Sequence, residues 1–281
     1  MNLFGQIVHP ARNIRAFREL IGLLTKHRAL TLEMTKREIT EQYVGQIFGV
    51  FWAVGHPLFL MALFVFIFNY VFKVRISQSL SMPQDYTTYI LAGLLPWLGF
   101  QQIMIRACTV ITSNASLVKQ IVFPIEVLPA KTVFAGFVTQ FISLMALIAY
   151  VLVVHGIPPG TYFLLPILFV IQLFAMLGVA FALASIGTYF RDAKDFVQVF
   201  SSWGIYMMPV VFLPEWVPEA LRPILYINPL SYMIWSYQDA LYYGRIVHPW
   251  SWFIFTVGSL IVFVAGYRLF RRAKSLMGSV L

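Results

Sequence analysis

Residues 132–190 read TVFAGFVTQFISLMALIAYVLVVHGIPPGTYFLLPILFVIQLFAMLGVAFALASIGTYF, a run of 59 positions without a single Asp, Glu, Lys or Arg. A bilayer core of ~30 Å takes about 20 helical residues at ~1.5 Å rise. The run is therefore far too long for one crossing, and it is interrupted by His155-Gly156-Ile157-Pro158-Pro159-Gly160, a sequence built for a turn. It predicts two membrane helices, 132–154 and 162–187, joined by a tight connection.

Outward from that pair, the other uncharged stretches are 42–72, 86–105, 196–214, 223–238 and 246–267. Three are long enough to cross; 196–214 is just long enough, and 223–238 is short and carries Pro223, Asn228, Pro229 and Ser231, so it is expected to enter the membrane without crossing. The expectation is an all-α integral membrane protein with six transmembrane helices at 46–71, 87–110, 132–154, 162–187, 196–213 and 249–268. Residues 1–45 form a cytoplasmic N-terminal segment and 46–281 the membrane domain. Composition agrees: of 281 residues 60% are hydrophobic and 11% charged, with a mean hydropathy of +0.79, whereas soluble chains are about 25% charged. An ordinary cytosolic enzyme, a disordered tail and a secreted disulfide scaffold are excluded. The single cysteine, Cys108, offers no intrachain disulfide and no redox chemistry. No cleaved signal peptide is expected at the N-terminus.

Cytoplasmic flanks retain Lys and Arg. With the N-terminus inside, 16 of the 20 basic residues fall on inner segments, and only Lys73, Arg75, Arg222 and Arg245 lie outside. Both termini are thus expected in the cytoplasm. The net charge of +9 is mostly a topology signal, and its spread over four separated segments argues against nucleic acid.

Before the first span, Ile14, Phe17, Ile21 and Leu24 recur at helical spacing against Arg15, Arg18, Glu19, Gly22 and Lys26. This predicts an amphipathic helix lying on the inner membrane surface, or else one packed on another protein. Glu33 and Arg37 are spaced to pair on one helix face. Gly45 and Gly49 open the first span either as a close-approach motif or as ordinary packing residues. Asn114-Ala115-Ser116 matches a glycosylation sequon but falls on the expected inner side. Between the fifth and sixth spans, 214–249 carries five prolines edged by Tyr and Trp. Short broken helices at the outer interface or a re-entrant hairpin suit that pattern, and so does a plain anchoring belt.

Ionisable residues within the spans are nearly absent, which leaves no intramembrane catalytic set and no midplane charge for a proton-coupled carrier. His56, beside Pro57, is the main exception; a hydrogen-bonded structural role and a proton relay are its two readings. The five histidines are too scattered for paired metal ligands, and no Lys follows a Gly, so a phosphate-cradling loop is missing. The chain is expected to be no enzyme and to bind no cofactor; any ATP-driven work needs a separate subunit to hold ATP and Mg.

Several motifs resemble the membrane subunit of bacterial ABC exporters for polysaccharides, the family that moves O-antigen, capsule and teichoic-acid chains. They are Arg37-Glu38-Ile39 with Tyr43, Gly49, Trp52 and Pro57; Gly93-Leu94-Leu95-Pro96-Trp97; Asn114 with Leu117-Val118-Lys119; Phe123-Pro124-Ile125-Glu126-Val127-Leu128-Pro129; Arg191-Asp192; and Asn228-Pro229-Leu230. Gln42 stands where the family usually has a basic residue, and Ile125 where Arg is common. The resemblance implies a homodimer with two ATPase subunits, exporting a lipid-linked polysaccharide across the bacterial inner membrane.

A motor outside the bilayer must push on short segments projecting from it. The segments 113–129 and 189–196 are the candidates, with Arg37, Lys119, Glu126, Arg191, Asp192 and Asp195 as coupling residues; solvated turns with local ion pairs are the bland reading. Aromatic faces suit sugar C–H faces, so Trp97, Phe100, Trp203, Tyr206 and Tyr232 are pore or gate candidates, against ordinary lipid or packing surface. Two rival functions stand beside export of a glycan: the same architecture exporting a drug or small lipid, and a membrane-embedded transferase using an outer cluster of Asp85, Glu215, Glu219 and Asp239.

Overall fold

The computed structural model describes residues 18–20, 22–42, 44–67, 84–119 and 123–280, and among them every regular element is helical. In chain order they are α1 (Arg28–Glu41), α2 (Trp52–Phe66), α3 (Tyr86–Thr109), α4 (Ala115–Val118), α5 (Val127–Val154), α6 (Leu165–Tyr189), α7 (Ala193–Gly204), α8 (Arg222–Ile227), α9 (Pro229–Gln238) and α10 (Pro249–Val280). Four are long and apolar enough to cross a membrane: α3, α5, α6 with the turn leading into it, and α10 as far as Ser275. The first three alternate in direction, while α10 runs parallel to α6, with Phe174, Phe181 and Tyr189 meeting Phe263, Tyr267 and Ala273 in turn. One end of the bundle gathers Asp85, His155 and the 214–249 segment, and the other gathers the charged ends of α5 and α10.

The crossings at the centre match the expected spans but overrun them. Helix α5 begins at Val127, five residues before the expected start, because Lys131 is buried in an ion pair inside the helix and marks no boundary. Pro129 is tolerated there, in the first turn, where its missing N–H has no helical partner to lose. Likewise α10 continues through Arg268, Arg271, Arg272 and Lys274, so its 32 residues, about 48 Å, extend well past a bilayer core.

Two expected spans differ. The first begins only at Trp52, because Gly45 and Gly49 have φ of 80° and 49°, a left-handed backbone that a helix does not carry. The close-approach reading of that pair falls with it; residues 68–71, the expected end of the span, lie outside the described residues. The fifth, expected over 196–213, is helical only to Gly204, followed by turns through Phe212. Pro209 lacks the N–H that would continue the ladder. The carbonyls so released are taken by buried side chains. Tyr86 Oη donates to Val211 O at 2.5 Å, Tyr89 Oη to Phe212 O at 3.2 Å, and Gln238 Nε2 to Pro209 O at 2.8 Å. Irregular backbone at membrane depth requires such cover.

Two close helix crossings involve α6: Gly187 lies against the Cys108 backbone of α3, and a second joins α6 and α10. A Cβ on Gly266 would stand 1.9 Å from the Gly178 carbonyl oxygen, so two glycines let the backbones touch. At the centre of the bundle, Gln140 on α5 and Gln172 on α6 exchange both amide hydrogen bonds at 2.7 and 3.2 Å, and the Tyr237 hydroxyl of α9 donates to Gln172 Oε1. In the proline-rich segment, Asn228 separates α8 from α9 and caps the latter, its Oδ1 accepting from Leu230 N at 3.0 Å. The short broken helices are as expected there. Of the apolar stripe expected for the N-terminal surface helix, Ile14, Phe17 and Ile21 lie outside the described residues, while 18–20 and 22–26 are helical, with Leu20 fully buried and Leu24 partly so.

Candidate functional site

At the charged end, three ion pairs link α1, α5, α10 and the helical stretch before α1. Lys131 of α5 meets Glu38 of α1 at 2.9 Å. Lys274 of α10 meets Glu126, the residue that starts α5, at 2.6 Å. Arg271 of α10 meets Glu19, in the helical stretch before α1, at 2.6 Å. The first pair is largely shielded from solvent, the second half so, and the third exposed. The shielded pairs therefore hold the geometry, since exposed pairs contribute little. Both involve the first turns of α5, directly after the 113–126 connection.

This arrangement redistributes the six expected coupling residues. Glu126 is buried, 4% exposed, and occupied by Lys274, so it presents no carboxylate to a partner and anchors the base of α5 instead. Arg37 is exposed and pairs with Glu41 one turn on at 2.6 Å, not with Glu33 as its spacing also allowed. Lys119, Asp192 and Asp195 are exposed. Asp195 sits in the first turn of α7, where its charge favours the positive end of the helix. Arg191 lines a cavity of about 550 Å³ with Thr109, Thr112 and Ala115, which brings the two expected coupling segments side by side. Glu19, Lys131, Arg271 and Lys274 were legible only as inner-side charges or as neighbours of a motif; nothing local in the chain pairs them.

At the opposite end, rings form a continuous path. Trp216 lies 5.7 Å from Tyr86, Tyr86 stacks on Tyr89 at 6.0 Å, and Tyr89 meets Tyr242 edge-on at 5.2 Å. A second group centres on Trp235, stacked on His248 at 5.5 Å and flanked by Tyr226 and Tyr232 at 5.2 and 5.5 Å. Tyr243 joins the two groups, 4.9 Å from Tyr242 and 5.8 Å from His248. The turn at Asp239–Tyr243 is a π-helix whose Ala240 and Leu241 carbonyls accept from Thr161 and Tyr162 at 2.7 and 3.0 Å. Such insertions recur at functional sites.

The five pore or gate candidates are not brought together. Trp97 and Phe100 are buried in the protomer core, Trp97 against Gly204, where a Cβ would come within 2.5 Å of its ring. Trp203 and Tyr206 are exposed. Tyr232 belongs to the Trp235 group and donates to Tyr226 O at 2.6 Å.

The carboxylates of this end are each committed separately. Asp85 accepts from Thr88 at 2.5 Å and Tyr150 at 3.0 Å and pairs with His155 at 2.6 Å. Burial pushes its carboxyl up, but those hydrogen bonds outweigh burial and hold it below the usual carboxylate value. Asp239, fully buried, accepts from His248 N at 2.9 Å and Trp252 Nε1 at 3.1 Å and faces His248 Nδ1 at 2.8 Å. Glu215 and Glu219 are exposed. Among the described residues no three His, Cys, Asp or Glu gather as a metal site.

Four apolar helices long enough to cross, short broken helices at one end and paired charges at the other define a multi-pass membrane protein. The chain belongs to the ABC-2 type transporter family, whose family model matches residues 29–242. Membership makes it a transport subunit and implies an ABC ATPase as its partner. It is similar to two O-antigen export system permease proteins RfbA of Klebsiella pneumoniae, 25% and 26% identical over 254 residues, covering 90% of this chain and 95% of each relative. A third, from Myxococcus xanthus and of the same name, is 26% identical over 229 residues, covering 81% of this chain and 85% of that one.

Proposed function

We propose that this chain is the permease half of an ATP-driven exporter that moves a lipid-linked polysaccharide from the cytoplasm across the inner membrane, as a homodimer with two ATPase subunits. One observation carries the reading: three relatives named as O-antigen export permeases align over 81–90% of this chain and 85–95% of their own length, and the family match runs from residue 29 to 242, across the coupling segments. The charged end faces the cytoplasm with both termini, in keeping with the inward bias of Lys and Arg. Arg37, Lys119, Arg191, Asp192 and Asp195 meet the ATPase, and Glu126 acts behind them by fixing α5. Pressure on 113–126 and 189–196 moves α5 and, through the ion pairs, α1 and α10. Trp203, Tyr206 and Tyr232, with the aromatic run, face the conduit toward the exit.

Complementation tests this directly. In a strain lacking its O-antigen export permease, the chain expressed with its cognate ATPase should restore surface polysaccharide. Continued intracellular accumulation, with both subunits inserted and assembled, would overturn the proposal. Restored drug resistance without surface glycan would favour the small-substrate alternative.

A further inference from the structure

We infer that a recess between α2, α3 and α5 binds one uncharged, hydroxyl-bearing segment of the transported chain; the inference rests on the glycan reading above. The recess is a cavity of about 260 Å³ whose polar lining is His56, Gln101, Gln102, Thr139, Gln140 and Ser143, set among leucines and Ile105. Small-molecule sites begin at about 300 Å³ and one water needs only ~10–15 Å³. The space therefore suits a single ring-sized segment rather than a coil of chain.

Gln101 lies eight residues before the end of α3 at Thr109, about 12 Å along the helix axis and so within hydrocarbon depth. An amide there needs a partner. Among the described residues, the side chains of His56, Gln101 and Gln102 make no hydrogen bond. The opposite wall is held in place: Gln140 is locked to Gln172, and the Thr139 and Ser143 hydroxyls donate to Ala135 O and Thr139 O at 3.5 and 3.0 Å, keeping oxygen lone pairs as acceptors. Gly99 makes room for that wall, since a Cβ at this position would come within 2.5 Å of Gln140 Oε1.

The lining contains no Asp, Glu, Lys or Arg. An ammonium group finds no counter-charge in it, and a phosphate has none but the His56 imidazole. A sugar hydroxyl, which donates and accepts at once, matches free amides on one side and acceptor oxygens on the other, and the apolar remainder suits C–H faces.

The test places a benzoylphenylalanine photocrosslinker at Leu98 in the full chain, co-expressed with its ATPase in cells making the glycan. Irradiation should give a permease adduct carrying sugar by carbohydrate staining and mass spectrometry. Combining Gln101→Leu with Gln102→Leu should lower that adduct several-fold while ATPase co-purification persists. If the double variant fails to insert, Gln101→Asn, which keeps the amide but shortens its reach, should also lower it. Adducts to phospholipid alone, or no adduct, in cells that still export glycan would sink the site and leave the export function standing. An unsubstituted chain that exports no glycan would overturn the reading beneath it.

Discussion

Glu126 and Lys274 are 148 positions apart in the chain, yet Lys274 Nζ stands 2.6 Å from Glu126 Oε1. The other carboxyl oxygen, Oε2, is buried and has no hydrogen-bond partner among the described residues. The base of α5 is thus held to the end of α10 through a single lysine contact. Removing that lysine strands a buried charge. Lys274→Ala should cost about 1–3 kcal/mol, read as a lower thermal midpoint of the purified protein in detergent. The double variant Glu126→Gln/Lys274→Met should recover part of the loss, because removing both charges avoids the desolvation that one alone suffers. Equal losses in the two variants would show that the pair does not hold this junction.

The contact between α6 and α10 leaves no space for a methyl group at Gly266, whereas a Cβ at Gly258 on the same helix meets nothing within 4 Å. Gly266→Ala is expected to destabilise by about 1–3 kcal/mol through overpacking, and Gly258→Ala to be near neutral. Comparison of their unfolding midpoints checks it, and indistinguishable values would remove the crossing from the account.

Cover of the 205–212 backbone depends on Tyr86, Tyr89 and Gln238. In Tyr86→Phe/Tyr89→Phe the Val211 and Phe212 carbonyls lose the donors described above, at about 1 kcal/mol per bond. In a Cys108→Ser background, a cysteine placed at Phe212 should then label faster with a small maleimide. An unchanged rate would mean that the turn is held by something else.

Acid should loosen the Asp85 junction. Burial alone would raise its carboxyl, but hydrogen bonds from Thr88, His155 and Tyr150 outweigh burial and hold it below the ordinary carboxylate value. A depressed folded value means that the contribution is present above about pH 4 and is lost as pH falls from there through the folded value. Wild-type protein should therefore exceed Asp85→Asn in thermal midpoint at pH 6–7, and the gap should close on titration below pH 4. A gap that stays constant to pH 3 would contradict the assignment.

The uncharged runs determined the class of this protein without any knowledge of its fold. A bilayer core leaves long apolar stretches few alternatives, and the 132–190 run, interrupted once by glycine and proline, could only be a helical pair. Proline spacing likewise announced short broken helices near Asn228. Where the reading erred, at Lys131 and Arg268, it took charge as a boundary, because a charge inside a helix is costly unless another part of the chain neutralises it, and that partner is invisible along the sequence. Only the tertiary structure decided that Glu126 is buried against Lys274, that the backbone turns after Gly204, and that Trp97 is core. Each outcome depends on residues tens to hundreds of positions away, brought within contact by helix packing that local pattern does not encode.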